Sequence, residues 1–287
     1  MAFTLKIDHK TMAMSAIALT SGLAVYSTYK YYSLRRQKHK ENVYESEKYL
    51  SEYLVFHYGS RQDLLPYSFG PHDSLDFPKK CADICMKNFT KKAGIPSRAL
   101  DIGCAVGRSA FEMTKLFDEV IGIDYSQSFI NACNQLKSKG KLSYSVVTGG
   151  DLRLPLEAVI DPSLQGDACN LSPNLGQFGC VLAANLVCRL HSPVDFLNRL
   201  ASLVATDGVL VITSPYTFLP EFTPKDKWIG GFKDPDGREI SCFDGLKQIL
   251  APAFELESDE DMPFFIRETA RKNQWTVAHV TVWRRKS

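Results

Sequence analysis

The sequence predicts an α/β fold: a mainly parallel sheet with helices on both faces, entered through an N-terminal helical cap and preceded by a hydrophobic N-terminal helix. Three observations carry this. The run Ala99-Leu100-Asp101-Ile102-Gly103-Cys104-Ala105-Val106-Gly107-Arg108-Ser109 reads as a short buried strand, a glycine-bearing turn and a helix start. Its echo, Val120-Ile121-Gly122-Ile123-Asp124, reads as a second strand ending in an acid. Beyond them, apolar runs of strand length alternate with helical periodicities, the signature of strands joined by helical crossovers.

Residues 12–29 are apolar to small. As a helix they extend about 27 Å, at the low end for a hydrocarbon core of about 30 Å. Lys6 and Lys10 precede them, while Lys30, Arg35, Arg36, Lys38 and Lys40 follow. That asymmetry expects a membrane anchor with the rest of the chain facing the cytosol, and Tyr26, Tyr29, Tyr31 and Tyr32 suit an interfacial belt. A second reading stays open, because Asp8 is the only acid before Glu41, which also suits a mitochondrial presequence.

Residues 41–96 form the expected cap. Tyr44, Leu50, Tyr53, Leu54 and His57 recur at helical spacing until Tyr58-Gly59. A second helix is expected from Phe77-Pro78 to Lys92, with Cys81, Ile84, Cys85 and Phe89 inward, and Gly94-Ile95-Pro96 breaks it. Residues 97–287 form the sheet domain. After Asp124, Ser126 opens a helix that Lys139-Gly140 closes. Residues 142–147 are a candidate strand, 149–162 an insertion, and 163–171 a short strand with an acidic turn. Residues 179–185 are a buried strand ending in Asn185, and 194–203 an amphipathic helix. Asp207-Gly208 introduces a strand at 209–213, followed by a long aromatic and glycine-rich loop, 215–232, and a helix at 243–250. The last strands are expected at 254–256 and 276–283, separated by a polar stretch. The lack of a full helix between them predicts an antiparallel final strand.

The 287 residues are 45% hydrophobic and 23% charged, which suits one globular α/β domain with extras. A net charge of +2 gives no reason to expect a nucleic-acid partner. The eight cysteines contain no C-x-x-C pair; Cys81 and Cys85, one helical turn apart, read as packing, so no metal is expected. A reducing compartment is the simplest account of them.

The glycine turn has specific chemistry. Gly103 and Gly107 remove Cβ atoms where the chain turns sharply and a ligand can approach. The helix carrying Ser109, Phe111, Met113 and Leu116 presents free N–H groups there. Asp124, at the end of the next strand, can accept hydrogen bonds from two ribose hydroxyls. The pattern is G-x-x-x-G, not the dinucleotide G-x-G-x-x-G, and no Lys-Ser or Lys-Thr follows, which excludes a P-loop. Asp101 repels a pyrophosphate but suits a cationic amino group. S-adenosylmethionine has a ribose, a sulfonium, an ammonium and no phosphate, and is the expected cofactor. The plainer reading, a tight strand–helix turn with chance glycines, leaves the acid at each strand end unexplained.

Asp101-x-Gly-x-x-x-Gly, Asp124 and Gly166-Asp167-Ala168, in this order, resemble class I S-adenosylmethionine-dependent methyltransferases. The resemblance implies a Rossmann-like seven-stranded sheet with a reversed last strand. It places Asp101 and Gly103 at the methionine end, Asp124 at the ribose, and Asp167 with Ala168 at the adenine. Cys104, Gly107, Tyr125 and Asn185 complete the expected cofactor set. A narrower resemblance rests on longer strings. They are 44–59, Gly166-Asp167-Ala168-Cys169-Asn170-Leu171, Ala183-Ala184-Asn185-Leu186, 213–217 with 221–231, and Arg267-Glu268-Thr269-Ala270-Arg271-Lys272-Asn273-Gln274-Trp275. These are similar to the methyltransferase portion of the ovothiol-synthesising enzyme, which methylates an imidazole nitrogen of 4-mercaptohistidine. That enzyme normally carries an iron-dependent sulfoxide-synthase part, which this sequence lacks. The resemblance implies an N-methyltransferase acting on a small histidine-like molecule, its catalytic domain cytosolic if residues 12–29 anchor it. Another small amine, a protein side chain, or cofactor binding without turnover are the alternatives.

An imidazole nitrogen attacks through its lone pair, so alignment matters more than acid–base help. Tyr53, His57 and Asn185 are the candidates around the reacting atoms; Tyr58, Tyr216, Trp228, Arg267 and Glu268 are the candidates around the acceptor. Each has a structural alternative. Tyr53 and His57, four apart, can simply pack on the domain. Asn185 can cap the next turn. Trp228, beside Gly230-Gly231, is either a lid or a buried aromatic. Arg267 and Glu268 either clamp a zwitterionic acceptor or form a structural ion pair. Arg189 and His191 read as a solvated helix entry.

Overall fold

In the computed structural model, which describes residues 42–161 and 175–287, the glycine turn joins Arg98–Ile102 (β1) to a short helix, Arg108–Met113, and Glu119–Ile123 (β2) lies parallel to β1. Lys141–Gly149 (β3) pairs with Leu152–Val159 (β4), and Phe232–Lys233 (β7) with Glu239–Ile240 (β8), each as a small hairpin apart from the main sheet. On the other side of β1 runs Phe178–Ala184 (β5), and beside it Val204–Ser214 (β6), both parallel. Phe254–Arg267 (β9) and Asn273–Arg285 (β10) form a long hairpin, with β10 antiparallel to β6. The main sheet therefore has six strands in the order β2-β1-β5-β6-β10-β9. Its parallel strands all end at one edge, where strand-end loops converge.

The strand period sorts the core into two faces. Ala99, Cys180, Leu182, Val209, Val211 and Val280 face Phe77–Asn88 of the cap. Leu100, Val181, Leu210, Ile212 and Trp283 face two helices, Pro193–Leu203 and Cys242–Leu250. Burying each large apolar side chain stabilises the fold by roughly 1.5–3 kcal/mol. Trp283 is buried with its indole N–H donated to Thr281 Oγ1 at 2.8 Å, so its polar atom is satisfied.

The cap helix Glu47–Tyr58, here α1, starts at Ser46, whose hydroxyl accepts from the Tyr49 amide. A second, one-turn helix, Arg61–Leu64, carries a Ser60/Asp63 capping box. Residues Tyr44–Ser287 form one compact unit, so the cap shares the core of the sheet domain.

Three expectations change. The main sheet has six strands among the described residues, and the short strand expected at 163–171 lies outside them. The candidate strand at 142–147 forms, as Lys141–Gly149, but it pairs with Leu152–Val159 in a separate hairpin. The turn at Gly149-Gly150, with Gly150 at φ +55°, folds the supposed insertion back on it. The helix at 77–92 stops at Asn88, because Phe89 turns extended to pack on Phe117, ring centroids 4.6 Å apart. The polar stretch between the last strands is itself strand. Asp259, Glu260 and Asp261 lie on β9, an edge strand paired only with β10, where charge is tolerated on exposed positions. The strands at 254–256 and 276–283 are accordingly 254–267 and 273–285. The stretch 12–29 lies outside the described residues, among which no helix is long and apolar enough to cross a membrane.

Candidate active site at the carboxyl edge of the sheet

The glycine turn is held from below and from the side. The amides of Gly103 and Cys104 both donate to Ile123 O, at 2.8 and 3.0 Å, tying the turn to the end of β2. Gly107 has φ +86°, and a Cβ there would lie 2.9 Å from Cys133 Sγ and 3.1 Å from Phe111 Cε2. Only glycine suits both demands. Ala105 is also left-handed, at φ 47°. Its amide donates to Asp124 Oδ2 at 2.9 Å, and the Ser126 amide donates to Asp124 Oδ1 at 2.8 Å. Asp124 thus shapes the turn, while each oxygen keeps a lone pair for a further donor. Burial raises its carboxyl above the usual range against the pull of these amides. Tyr125, next in sequence, is 90% exposed.

Asp101 lies beneath the turn, fully buried. Ser109 Oγ donates to its Oδ2 at 2.6 Å, whereas Oδ1 has no hydrogen-bonding partner. Burial lifts the carboxyl to about 7. Cys104 is buried, its thiol directed at Ala105 O, so the turn side of this residue is its backbone.

The cap closes on the same turn. Tyr58 Oη donates to Val106 O at 2.7 Å. The Arg108 amide donates to His57 Nδ1 at 3.4 Å, and the Arg108 guanidinium lies 5.6 Å from the centre of the Tyr58 ring. Burial, with Arg108 adjacent, holds the His57 imidazole down at about 3. It is therefore neutral, with its proton on Nε2. Tyr53 sits in an aromatic stack, 4.9 Å from Phe129 and 6.0 Å from both Tyr44 and His57 between centroids. Burial raises its hydroxyl.

Asn185 follows β5 at φ 52°. Its amide donates to Thr213 O at 2.8 Å, and Thr213 Oγ1 donates to Asn185 Oδ1 at 2.9 Å, locking the ends of β5 and β6 together. A 3-10 turn, Val187–Arg189, follows. Arg189 Nη1 donates to Cys188 O at 3.0 Å and Thr217 O at 2.7 Å, and its guanidinium lies 5.1 Å from the Phe222 ring centre. Burial raises the Tyr44 hydroxyl above its ordinary value, and Arg189 offsets part of that rise. Arg189 is thus a structural hub of this edge rather than a solvated helix entry; His191 is exposed as expected.

Trp228, Arg267 and Glu268 do not converge with these. Trp228 donates its indole N–H to Thr223 O at 2.9 Å and packs on Phe218, and Gly230 and Gly245 bring its loop against the helix Cys242–Leu250. Trp228 is thus half-buried, with its indole nitrogen tied to its own loop. Arg267 is 5% exposed, with Nη1 donating to Asp63 O and Nε to Thr269 O at 3.3 Å, which braces the hairpin tip against the cap. Glu268 points elsewhere, to Lys272 and Gln274, each at 2.5 Å. Asp167 and Ala168 lie outside the described residues. The sequence placed Tyr44 only in a helical pattern and Arg189 only at a helix entry, and gave no role to Asp259 or His279. Among the described residues no group of His, Cys, Asp or Glu is placed to hold a metal ion.

Residues 100–212 match the family described as a methyltransferase domain. Over 117 residues the chain is 30% identical to the ubiquinone biosynthesis O-methyltransferase of Bradyrhizobium diazoefficiens, covering 41% of this chain and 39% of that one. The chain thus spans about two-fifths of the length of the curated relative it matches. Among solved structures it is similar to the N-methyltransferase NodS of Bradyrhizobium japonicum in complex with S-adenosyl-L-homocysteine, at 12% identity and a TM-score of 0.43, over 83% of this chain and 99% of that one. It is also similar to the [4+2]-cyclase SpnF, at 15% identity and a TM-score of 0.49, over 85% and 93%.

S-adenosylmethionine is the cofactor of such domains, and the residues present fit it. A left-handed glycine turn, a carboxylate with spare lone pairs at Asp124, and the unpartnered buried Asp101 Oδ1 suit a polar, cationic nucleoside.

Proposed function

We propose that this chain, which carries a class I S-adenosylmethionine-dependent methyltransferase domain, methylates an imidazole nitrogen of a small histidine-like molecule. One observation carries the reading. Three of the pieces that bear the ovothiol-type strings lie around one sheet edge: α1 latched on the glycine turn, the end of β5 before Asn185, and the loop after β6. The 4-mercaptohistidine of that resemblance is the first acceptor to try.

Asp124 would hold the ribose, and the turn from Gly103 to Gly107, with Asp101 beneath, would hold the methionine end. When bound, S-adenosylmethionine supplies an electrophilic methyl on a sulfonium that is already a good leaving group. The chain's own work is then to orient and to exclude water. Tyr58 and His57 fix the cap over the turn. His57 stays neutral there, so it adds no positive charge near a sulfonium. Asn185, pinned by Thr213, sets the geometry of the strand end against which an acceptor ring would lie.

The test uses full-length protein, methyl-13C S-adenosylmethionine and 4-mercaptohistidine, histidine, histamine and a catechol, with products read by 13C NMR. The reading expects label on a ring nitrogen of an imidazole. Label on the catechol oxygen alone would reassign the protein to O-methylation.

A further inference from the structure

We propose that Tyr216, oriented by His279 and Asp259, accepts the N–H of the methyl acceptor and passes its proton into the protein. The proposal rests on the reading above that the acceptor is an N–H-bearing molecule at this edge. Tyr216 lies two residues past the end of β6, in a left-handed conformation at φ 53°, and its amide donates to Ser214 Oγ at 3.0 Å. A non-glycine residue there is strained by about 1 kcal/mol, and persists only where its surroundings hold it. What holds it is a three-member chain. Tyr216 Oη lies 3.0 Å from His279 Nδ1, and His279 Nε2 lies 2.9 Å from Asp259 Oδ2. His279 stands opposite Ser214 in the β6–β10 ladder, and Phe243 meets its ring edge-on at 4.5 Å between centroids.

The direction of the chain follows from donor chemistry in its uncharged form. A carboxylate only accepts, so a His279 ring with a single N–H places that proton on Nε2 and leaves Nδ1 bare. The Tyr216 hydroxyl therefore donates to Nδ1, and its oxygen has only lone pairs left to offer. Such an oxygen selects an N–H. On an imidazole it takes the protonated nitrogen and leaves the other, with its lone pair, for methylation. Burial raises the Tyr216 phenol, so a tyrosinate does not accumulate and the proton moves through the hydroxyl. The step is a proton transfer alone. The acceptor N–H proton goes to Tyr216 Oη as the phenol proton goes to His279 Nδ1, leaving an imidazolium beside Asp259, which is 45% exposed and can return the proton to water. The other titratable groups nearby are Cys242, beside Tyr216, and Asp261, opposite His279 in the β9–β10 ladder. In this relay Tyr216 touches the acceptor, whereas His279 and Asp259 are positioning residues.

The plainer alternative is a brace tying a loop to a hairpin, and two readouts separate them. In full-length protein, Tyr216→Phe and Asp259→Asn should each lower kcat about tenfold or more, with the KM for S-adenosylmethionine and Tm little changed. Ring 15N spectra of His279, which need no acceptor, should show Nε2 protonated in the parent and a shifted tautomer population in Asp259→Asn. An unchanged kcat in Tyr216→Phe, a Tm that falls together with a rise in both KM values, or a parent His279 protonated on Nδ1 would each overturn the relay. If the parent methylates oxygen instead, the function reading fails, while slowing of that reaction by Tyr216→Phe keeps the relay. If the parent methylates nothing, the reading fails and the relay falls with it.

Discussion

At the scale of single residues, the account depends on atoms that glycine lacks and on two buried groups that titrate in opposite senses. Gly107→Ala adds a Cβ into Cys133 and Phe111 at a left-handed position. It should destabilise the fold by about 1–2 kcal/mol from backbone strain alone, visible as a Tm several degrees lower. His57 has its folded pKa depressed to about 3. Its contribution to stability is therefore complete above the unfolded value of about 6.5 and is lost as pH falls from there towards 3. Asp101 has its folded pKa raised to about 7 by burial. It is most favourable when protonated, so its contribution declines as pH rises from about 4 towards 7. Urea midpoints measured between pH 4 and 8 should show His57→Gln flattening the acid-side loss. Asp101→Asn should remove the decline on the way to neutrality. Exchanged or absent effects would mean that neither group is buried as described.

At the scale of elements, the latch between α1 and the glycine turn is the contact most open to test. Tyr58→Phe deletes one hydrogen bond to the glycine turn, worth about 0.5–1.5 kcal/mol, and keeps the ring. Faster amide exchange at Val106 to Arg108, with a few-fold higher KM for S-adenosylmethionine, is expected; unchanged exchange would detach the cap from the turn. Arg267→Lys should lower Tm and move both KM values together, because Arg267 bridges the hairpin tip to Asp63; a rise in the acceptor's KM alone would restore the clamp. How legible these elements were depended on pattern. α1, the turn and the helix from Gln127 to Lys139 were readable because their caps and periodicity are local. The Asp259-Glu260-Asp261 run reads as loop by composition, yet forms strand because an edge position leaves those side chains in water. The Lys141–Gly149 strand was readable, but its partner was not, since pairing is set by a turn within what looked like an insertion. Arg189 and His279 gained their roles only from partners far along the chain, Tyr44 and Thr217 for one, Tyr216 and Asp259 for the other.

At the scale of the whole molecule, residues 44–287 hold the sheet, the cap and the candidate site, and residues 12–29 are proposed to carry location. A fusion of residues 1–40 to a fluorescent protein should sediment with membranes and resist carbonate extraction. An uncleaved fusion that stays wholly soluble would contradict the anchor, and one cleaved and found in mitochondria would favour a presequence. The central claim is that the sheet edge built from the glycine turn and Asp124 is a site for S-adenosylmethionine. Calorimetric titration of S-adenosylmethionine into the full-length protein and its Asp124→Ala variant tests it most directly. The account predicts saturable binding by the parent with a dissociation constant of the order of micromolar. It predicts a loss of about 2–4 kcal/mol in the variant, from the missing charged acceptor. Equal affinity in a folded variant, or no binding by the parent, would contradict it.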